Sequence, residues 1–142
     1  VEGLDVGAGY AIMETINQDS QAVGPGTTDQ DEGTAYIKYA TGPFSLGYQV
    51  GAVSTGGNVL YKQQYYGISY TVSDDLSVSY NWIDASKTAA DGLRTEQDFD
   101  SISASYSMGG MTINIADSDC SNCSYSANRS TDATTVSLAI AF

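Results

Sequence analysis

The sequence predicts an all-β fold, an antiparallel β-barrel that crosses a membrane, and three observations support this prediction. Hydrophobic and small polar residues alternate along much of the 142-residue chain, as expected for strands with one apolar face. Tyrosine is abundant, with 11 Tyr against 3 Phe and 1 Trp, and such amphipathic rings collect at membrane–water interfaces. One face of the last strand carries Val136, Leu138, Ile140 and Phe142, and its other face carries only Thr, Ser and Ala.

Eight segments show the alternation, and each is predicted to be a strand of a tilted barrel, for which about 9–11 residues cross the membrane. They are residues 3–14, 33–41, 44–52, 61–72, 76–82, 101–108, 111–115 and 133–142. Phe99 breaks the alternation just before the sixth segment, which predicts a bulge or the end of a loop there. A soluble antiparallel sheet also alternates, but this apolar face is too aromatic, and too poor in Lys, for a solvated surface.

The connections between these segments alternate in length. Residues 41–43, 73–75 and 109–110 are predicted tight turns, because they are rich in Gly, Pro, Ser and Asp. Residues 15–32, 54–60, 85–96 and 117–131 are predicted polar loops. Bacterial barrels have short periplasmic turns and longer extracellular loops. The pattern therefore predicts an outer-membrane protein with its carboxy terminus in the periplasm.

The net charge of −12 arises from 17 acidic and 5 basic residues. Recognition of nucleic-acid phosphates needs clusters of Lys and Arg, so nucleic acid is excluded as a partner. The chain contains no His, which excludes catalysis by Ser–His or Asp–His pairs and metal sites built on His. We therefore expect a protein that is not an enzyme.

Six polar residues occupy positions predicted to face the barrel interior, and they are the candidate pore-lining residues. They are Asp5, Lys38, Gln49, Gln63, Asn81 and Asn114. In a channel these side chains would hydrate passing solutes and shape the local field, or they would simply wet the inner wall. They form no ring of like charge, but the acidic loops at the channel mouth predict a mild preference for cations.

Cys120 and Cys123 lie in the last predicted loop, and we expect them to form a disulfide that stiffens it in an oxidising compartment. A zinc site would need more Cys or His ligands than the sequence supplies. A thioredoxin-like redox motif would need a βαβ setting, which the alternation does not predict.

Two acidic clusters are candidate ligands for Ca²⁺ or Mg²⁺, since carboxylates at alternate positions bind these ions through oxygen. They are Asp29, Asp31 and Glu32 in the first loop, and Asp117 and Asp119 in the last. Divalent cations there would also bridge the loops to anionic lipid headgroups or lipopolysaccharide. The alternative is a solvated acidic surface without a metal. No other cofactor is expected.

Several segments resemble the turns and rising strands of the general porins of Gram-negative bacteria, above all those of marine alphaproteobacteria. These segments are residues 41–48, 70–80 and 106–113, and the terminal Phe142 is similar to the assembly signal of that family. The resemblance implies a 16-stranded, homotrimeric, water-filled pore in the outer membrane for small hydrophilic solutes. Residues 1–142 would then be one porin-like domain that lacks its amino-terminal half. The family's constriction loop would lie in the part not present here, and no loop in this chain is an obvious substitute.

The alternative is a complete eight-stranded barrel that acts as an adhesin or a structural surface protein. The interior of such a small barrel is filled by side chains. The predicted inward residues here are mostly Gly, Ala, Ser and Thr, which would leave voids in a small barrel but suit the wall of a wide channel. We therefore expect half of a large barrel.

Overall fold

Eight antiparallel strands form one sheet in the order in which they occur along the chain. The structure is a computed structural model, and it describes residues 2–13, 30–55 and 57–141. The strands are β1 (Leu4–Met13), β2 (Gln30–Thr41), β3 (Phe44–Thr55), β4 (Val59–Thr71), β5 (Leu76–Thr88), β6 (Arg94–Met108), β7 (Met111–Ser121) and β8 (Thr131–Ile140). A single 3₁₀ turn, Cys123–Tyr125, lies between β7 and β8. The predicted all-β antiparallel class is confirmed.

Each strand pairs with its neighbour in an unbroken register. Phe99 pairs with Ile83 on one side and with Cys120 on the other, without an extra residue on any strand. The predicted bulge or loop end at Phe99 is therefore wrong, since β6 already begins at Arg94. The residue keeps the alternation of β6, and its ring lies on the face that otherwise carries small polar side chains.

The hairpins are longer than the alternation predicts. β5 continues to Thr88, β6 begins at Arg94, and β7 continues to Ser121, so much of the predicted loops 85–96 and 117–131 is strand. In these extensions most residues are polar, and the few apolar ones, such as Ile83 and Phe99, lie on the face that is polar in the central parts of the strands. The hydrophobic period of the strand centres therefore does not continue. The backbone ladder persists because its hydrogen bonds do not depend on the polarity of the side chains. Residues 14–29, Asp29 among them, and Phe142 lie outside the described residues.

The predicted tight turns join strands at one end of the sheet. Gly109 and Gly110 link β6 to β7 with φ angles of 56° and 83°, the left-handed conformations that a two-residue hairpin turn requires at both positions. The turn before β5 is closed by Ser73, whose hydroxyl accepts a hydrogen bond from the Leu76 amide at 3.2 Å. We call this end of the sheet the turn end and the opposite end the loop end.

The sheet does not close on itself within the part of the chain that the structure describes. β1 pairs only with β2, and β8 pairs only with β7. The sheet also has no hydrophobic core, since Ala85 is the one buried hydrophobic residue among those described. No helix in the described ranges is long and apolar enough to cross a membrane.

The Gly109–Gly110 turn generates a stability prediction. In the variant Gly110→Ala, the new Cβ must sit at a positive φ and 3.2 Å from the Ala141 carbonyl oxygen, so we expect a loss of about 1 kcal/mol in the free energy of unfolding. Guanidinium chloride denaturation in a mild detergent measures this change.

The matched control is Gly57→Ala, because a Cβ added at Gly57 meets no atom within 4 Å. We expect this variant to unfold at the wild-type midpoint. Equal midpoints for the two variants would contradict the assigned turn geometry.

Candidate functional site

The register separates the side chains into two faces of opposite character. We call the side that carries Leu4, Tyr39, Leu46, Ile68 and Ile102 the apolar face, because these residues lie on it in one cross-strand row. The side that carries Asp5, Lys38, Gly47 and Asn81 is the polar face. Such a division results from the two-residue period of a strand when pairing has no slips.

The apolar face is open to its surroundings. Among the described residues, 25 large hydrophobic side chains are exposed, and 21 of them lie on this face within the strands. They include Tyr10, Val136 and Val6, which are 69%, 67% and 62% exposed. The exposed residues form a continuous uncharged band, which we call the apolar band. Its stretches are residues 4–12, 33–39, 44–52, 66–70, 76–82, 102–108, 111–115 and 136–140 of β1 to β8, counting every second residue.

The apolar band runs obliquely across the sheet. The cross-strand row through Leu4 marks the edge of the band nearest the turn end on β1, but on β8 the same row passes through Thr134, beyond the whole of Val136–Ile140. On β8 the edge of the band nearest the turn end is Ile140, so this edge shifts by six residues over seven strand steps. The shift corresponds to about 30° of tilt at about 3.4 Å per residue and 4.8 Å per strand, somewhat less than the tilt of about 35–45° in membrane barrels.

Aromatic rings mark the border of the apolar band towards the loop end on β4 and β5. Tyr66 stacks on Trp82 with ring centroids 4.7 Å apart, and Tyr48 packs against Tyr66 at 5.0 Å. The Tyr66 hydroxyl donates a hydrogen bond to the Gln64 side chain at 2.9 Å, beyond the band. An apolar ring body with its polar tip directed outwards is the arrangement found at membrane–water interfaces.

Charged residues occupy the apolar face beyond these rings, towards the loop end. We call this region the acidic band; its carboxylates are Asp31, Asp84, Glu96, Asp98, Asp100, Asp117, Asp119 and Asp132, and it also holds Lys62 and Arg94. Asp100 lies opposite Asp119, which in turn lies opposite Asp132. Like charges in such positions repel, so this part of the face requires water or counter-ions.

The predicted pore-lining residues all lie on the polar face. The Tyr36 hydroxyl donates to Asp5 at 3.4 Å, and the Gln49 amide donates to the Thr34 hydroxyl at 3.1 Å. Tyr65 donates to Gln63 on the same strand. The remaining three, Lys38, Asn81 and Asn114, lie in the registers of β2, β5 and β7 on this side. The structure brings the six to one surface, and their role in a channel stays a prediction.

Hydroxyl groups cross-link neighbouring strands along the polar face. Ser79 bonds to Ser103 at 2.7 Å, and Ser101 bonds to Ser118 at 2.8 Å. These small side chains lie on β5, β6 and β7 and project only a short distance from the sheet. The surface is therefore hydrophilic, and these hydroxyl groups are hydrogen-bonded to one another.

The predicted metal ligands are not brought together. Asp31 lies on β2 and Asp117 on β7, five strands apart, and Glu32 points to the face opposite Asp31 because the two are consecutive in a strand. Asp117 and Asp119 share the acidic band, where the Thr134 hydroxyl donates to Asp117 at 2.7 Å. Within residues 2–13, 30–55 and 57–141, no three carboxylate or thiolate groups are close enough to hold a metal ion.

Cys120 and Cys123 are joined by a disulfide. The residues that follow Cys120 turn over the polar face, where the Ser124 amide donates to the Gln97 side chain at 2.8 Å and Tyr125 packs against Tyr61. The site residues predicted from the sequence do not include Tyr61, Gln97 or Tyr125. The one signal that marks the region is the pair of cysteines.

No protein-family model matches this sequence, and comparisons with curated proteins and with solved structures find no significant similarity.

A close approach on the polar face generates a second stability prediction. Tyr36 lies across Gly7, and a Cβ added at Gly7 would overlap its ring. We expect Gly7→Ala to displace this ring and to lower the free energy of unfolding by about 1 kcal/mol.

Gly9→Ala is the matched control on the same strand and face, because its Cβ would meet the Thr34 methyl group at an ordinary 3.7 Å. Denaturation of both variants in detergent measures the difference. Loss of stability in Gly9→Ala alone would show that the ring does not occupy the space above Gly7.

Proposed function

We propose that this chain forms part of the wall of an outer-membrane porin, a water-filled channel through which small hydrophilic solutes and ions diffuse passively. The observation that carries the proposal is the exposed, uncharged apolar band on one face of a sheet whose other face is polar. A barrel wall between lipid and water requires this division. No other element among the described residues covers the band.

The energetics favour hydrocarbon as the medium that covers the apolar band. Burial of one Val, Leu, Ile or Phe side chain is worth about 1.5–3 kcal/mol, and the band exposes 21 large hydrophobic side chains. Exposed to water, such a surface would drive aggregation. In a bilayer the same surface stabilises insertion, and the backbone groups of β2 to β7 are already paired within the sheet.

The charge distribution supports an orientation with the loop end outside the cell and the turn end in the periplasm. The acidic band begins where the aromatic border ends, so charged groups avoid the hydrocarbon layer. The short turns at the opposite end match periplasmic turns. In this orientation the acidic band meets the lipopolysaccharide headgroups, and divalent cations would bridge the two.

The two unpaired sheet edges favour a large barrel over a closed eight-stranded one. β1 and β8 each leave one edge without a partner among the described strands, and edges of this kind cannot face lipid. Further strands would satisfy them in a 16-stranded porin, which we propose assembles as a homotrimer. The small side chains of the polar face fit a wide lumen and would leave an eight-stranded interior unfilled.

Solute influx into liposomes tests the proposal. We expect liposomes that contain the natural protein to swell in an iso-osmotic pentose solution several-fold faster than liposomes that contain the heat-denatured protein, and not to swell in a large dextran. Light scattering measures the rate. A folded, membrane-inserted protein that admits no pentose would contradict the channel.

Adjacent residues of β7 test which face meets lipid. Ile113 lies in the apolar band. We expect Ile113→Arg to destabilise the folded, bilayer-inserted state by about 2–4 kcal/mol, since this is the cost of Arg near the midplane. Asn114→Arg, on the polar face, is the matched control and should cost little, because its side chain meets water.

Folding into lipid vesicles, followed by the heat-modifiable mobility of the protein on gels, gives both values. A larger loss for Asn114→Arg than for Ile113→Arg would reverse the assignment of the two faces.

A further inference from the structure

The segment that follows β7 does not extend away from the sheet. We call residues 120–125 the stapled segment, because the Cys120–Cys123 disulfide closes it. The segment leaves β7 and turns back across β6, where the Ser124 amide donates to the Gln97 Oε1 atom at 2.8 Å. Gln97 belongs to the polar face, since it pairs with Ala85 in the row that holds Gln63.

The stapled segment reaches as far as β4. The rings of Tyr125 and Tyr61 pack edge to face with their centroids 5.6 Å apart, and Tyr61 lies on the polar face of β4. From β7 to β4 is three strand steps, or about 14 Å at the usual spacing. The segment therefore covers the polar face of β5 and β6 at the loop end.

The polar face becomes apolar beside the stapled segment. Ile83, Ala85 and Phe99 lie there in adjacent positions of β5 and β6, and Phe99 pairs with Cys120, the first residue of the segment. Apolar surface at this position favours a segment of chain that packs over it.

The backbone of the stapled segment needs external support. Asn122, Ser124 and Tyr125 have φ angles of 52°, 59° and 56°, and this left-handed conformation is unfavourable for residues other than Gly. Besides the disulfide, the segment is held by the Gln97 contact and by the Cys123 amide, which donates to the Arg129 carbonyl at 2.8 Å. Loss of the disulfide would remove a principal constraint on this conformation.

A cationic group stands beside the aromatic pair. The Lys87 ammonium lies 5.7 Å from the centroid of the Tyr61 ring, within the range of a cation–π contact. Tyr61, Tyr125 and Lys87 therefore form one cluster at the end of the stapled segment that is farthest from β7.

We propose that the stapled segment is a constriction of the channel at its loop end, and that the Cys120–Cys123 disulfide and the Tyr125–Tyr61 contact hold it in place. This inference rests on the proposed channel function. A layer of chain packed on a sheet stands about 10 Å from it, so the segment narrows the lumen on this side. Its rings and the Lys87 ammonium meet the solutes that pass, and the segment limits their size.

Single-channel recording of the natural protein in a planar bilayer tests the constriction. Tris(2-carboxyethyl)phosphine added to inserted channels converts the S–S bond to two thiols and itself becomes the phosphine oxide with oxygen from water. We expect the conductance to rise by about 1.5-fold or more, because the narrowest section limits ion flow. The variant Cys120→Ser/Cys123→Ser should show the raised conductance from the start and should not respond to the phosphine.

Two variants at one position isolate the ring contact. Tyr125→Ala removes the ring and should raise the conductance and admit larger sugars in liposome swelling. Tyr125→Phe keeps the ring against Tyr61 and should conduct as the wild type does. Heat-modifiable gel mobility shows that each variant is folded, and the phosphine experiment on inserted wild-type channels does not depend on refolding.

The outcomes separate this inference from the proposed function. A wild-type protein that conducts, but whose conductance changes neither with the phosphine nor in Tyr125→Ala, overturns the constriction and leaves the channel standing. A folded wild-type protein that does not conduct overturns the channel and the constriction together.

Discussion

The unbroken register of the eight strands is the constraint on which the rest of this structure depends. Every strand from β1 to β8 pairs without an inserted residue. Whether a residue has an odd or an even number in its strand therefore decides on which face its side chain lies. A slip of one residue on a central strand would exchange the faces from there onwards. Trp82 would then face the polar side, and Asn81 would face the apolar band. The apolar band, the acidic band and the surface under the stapled segment all exist because no slip occurs.

The sheet lacks the hydrophobic interior that stabilises a soluble domain, so other interactions must supply its stability. Ala85 is its one buried hydrophobic residue within the described ranges, whereas soluble domains bury apolar surface between two packed layers. What remains is the hydrogen-bonded ladder, the packing of neighbours such as Tyr66 and Trp82 along one face, and the free energy of transferring that face to its medium. We infer that hydrocarbon takes the place of the second layer that a soluble fold would pack against this face. This explains why no charged residue lies within the apolar band.

The sequence allowed the central part of each strand and each tight turn to be predicted, because both leave a local signal. Alternation from Phe44 to Ala52 or from Leu76 to Trp82 has the period of a strand, and Gly109–Gly110 has the composition of a turn. The hairpin ends left no such signal, since Asp98 and Gln97 are both polar although they face opposite sides. Six candidate pore-lining residues were placed on one face by parity alone. The contact of Ser124 with Gln97 joins residues 27 apart and depends on a register that composition does not encode.

The two faces exchange their character at the loop end, and this exchange connects the acidic band with the stapled segment. On the apolar face Trp82 is followed by Asp84, while on the polar face Asn81 is followed by Ile83 and then by Ala85. A strand that leaves hydrocarbon for water must become charged on its outer side. Its inner side is then free to become apolar, provided that something covers it. Residues 120–125 contact this side of the hairpin ends at Gln97 and Tyr61. We infer that Phe99 breaks the hydrophobic pattern because it lies opposite Cys120, where the polar face changes its character.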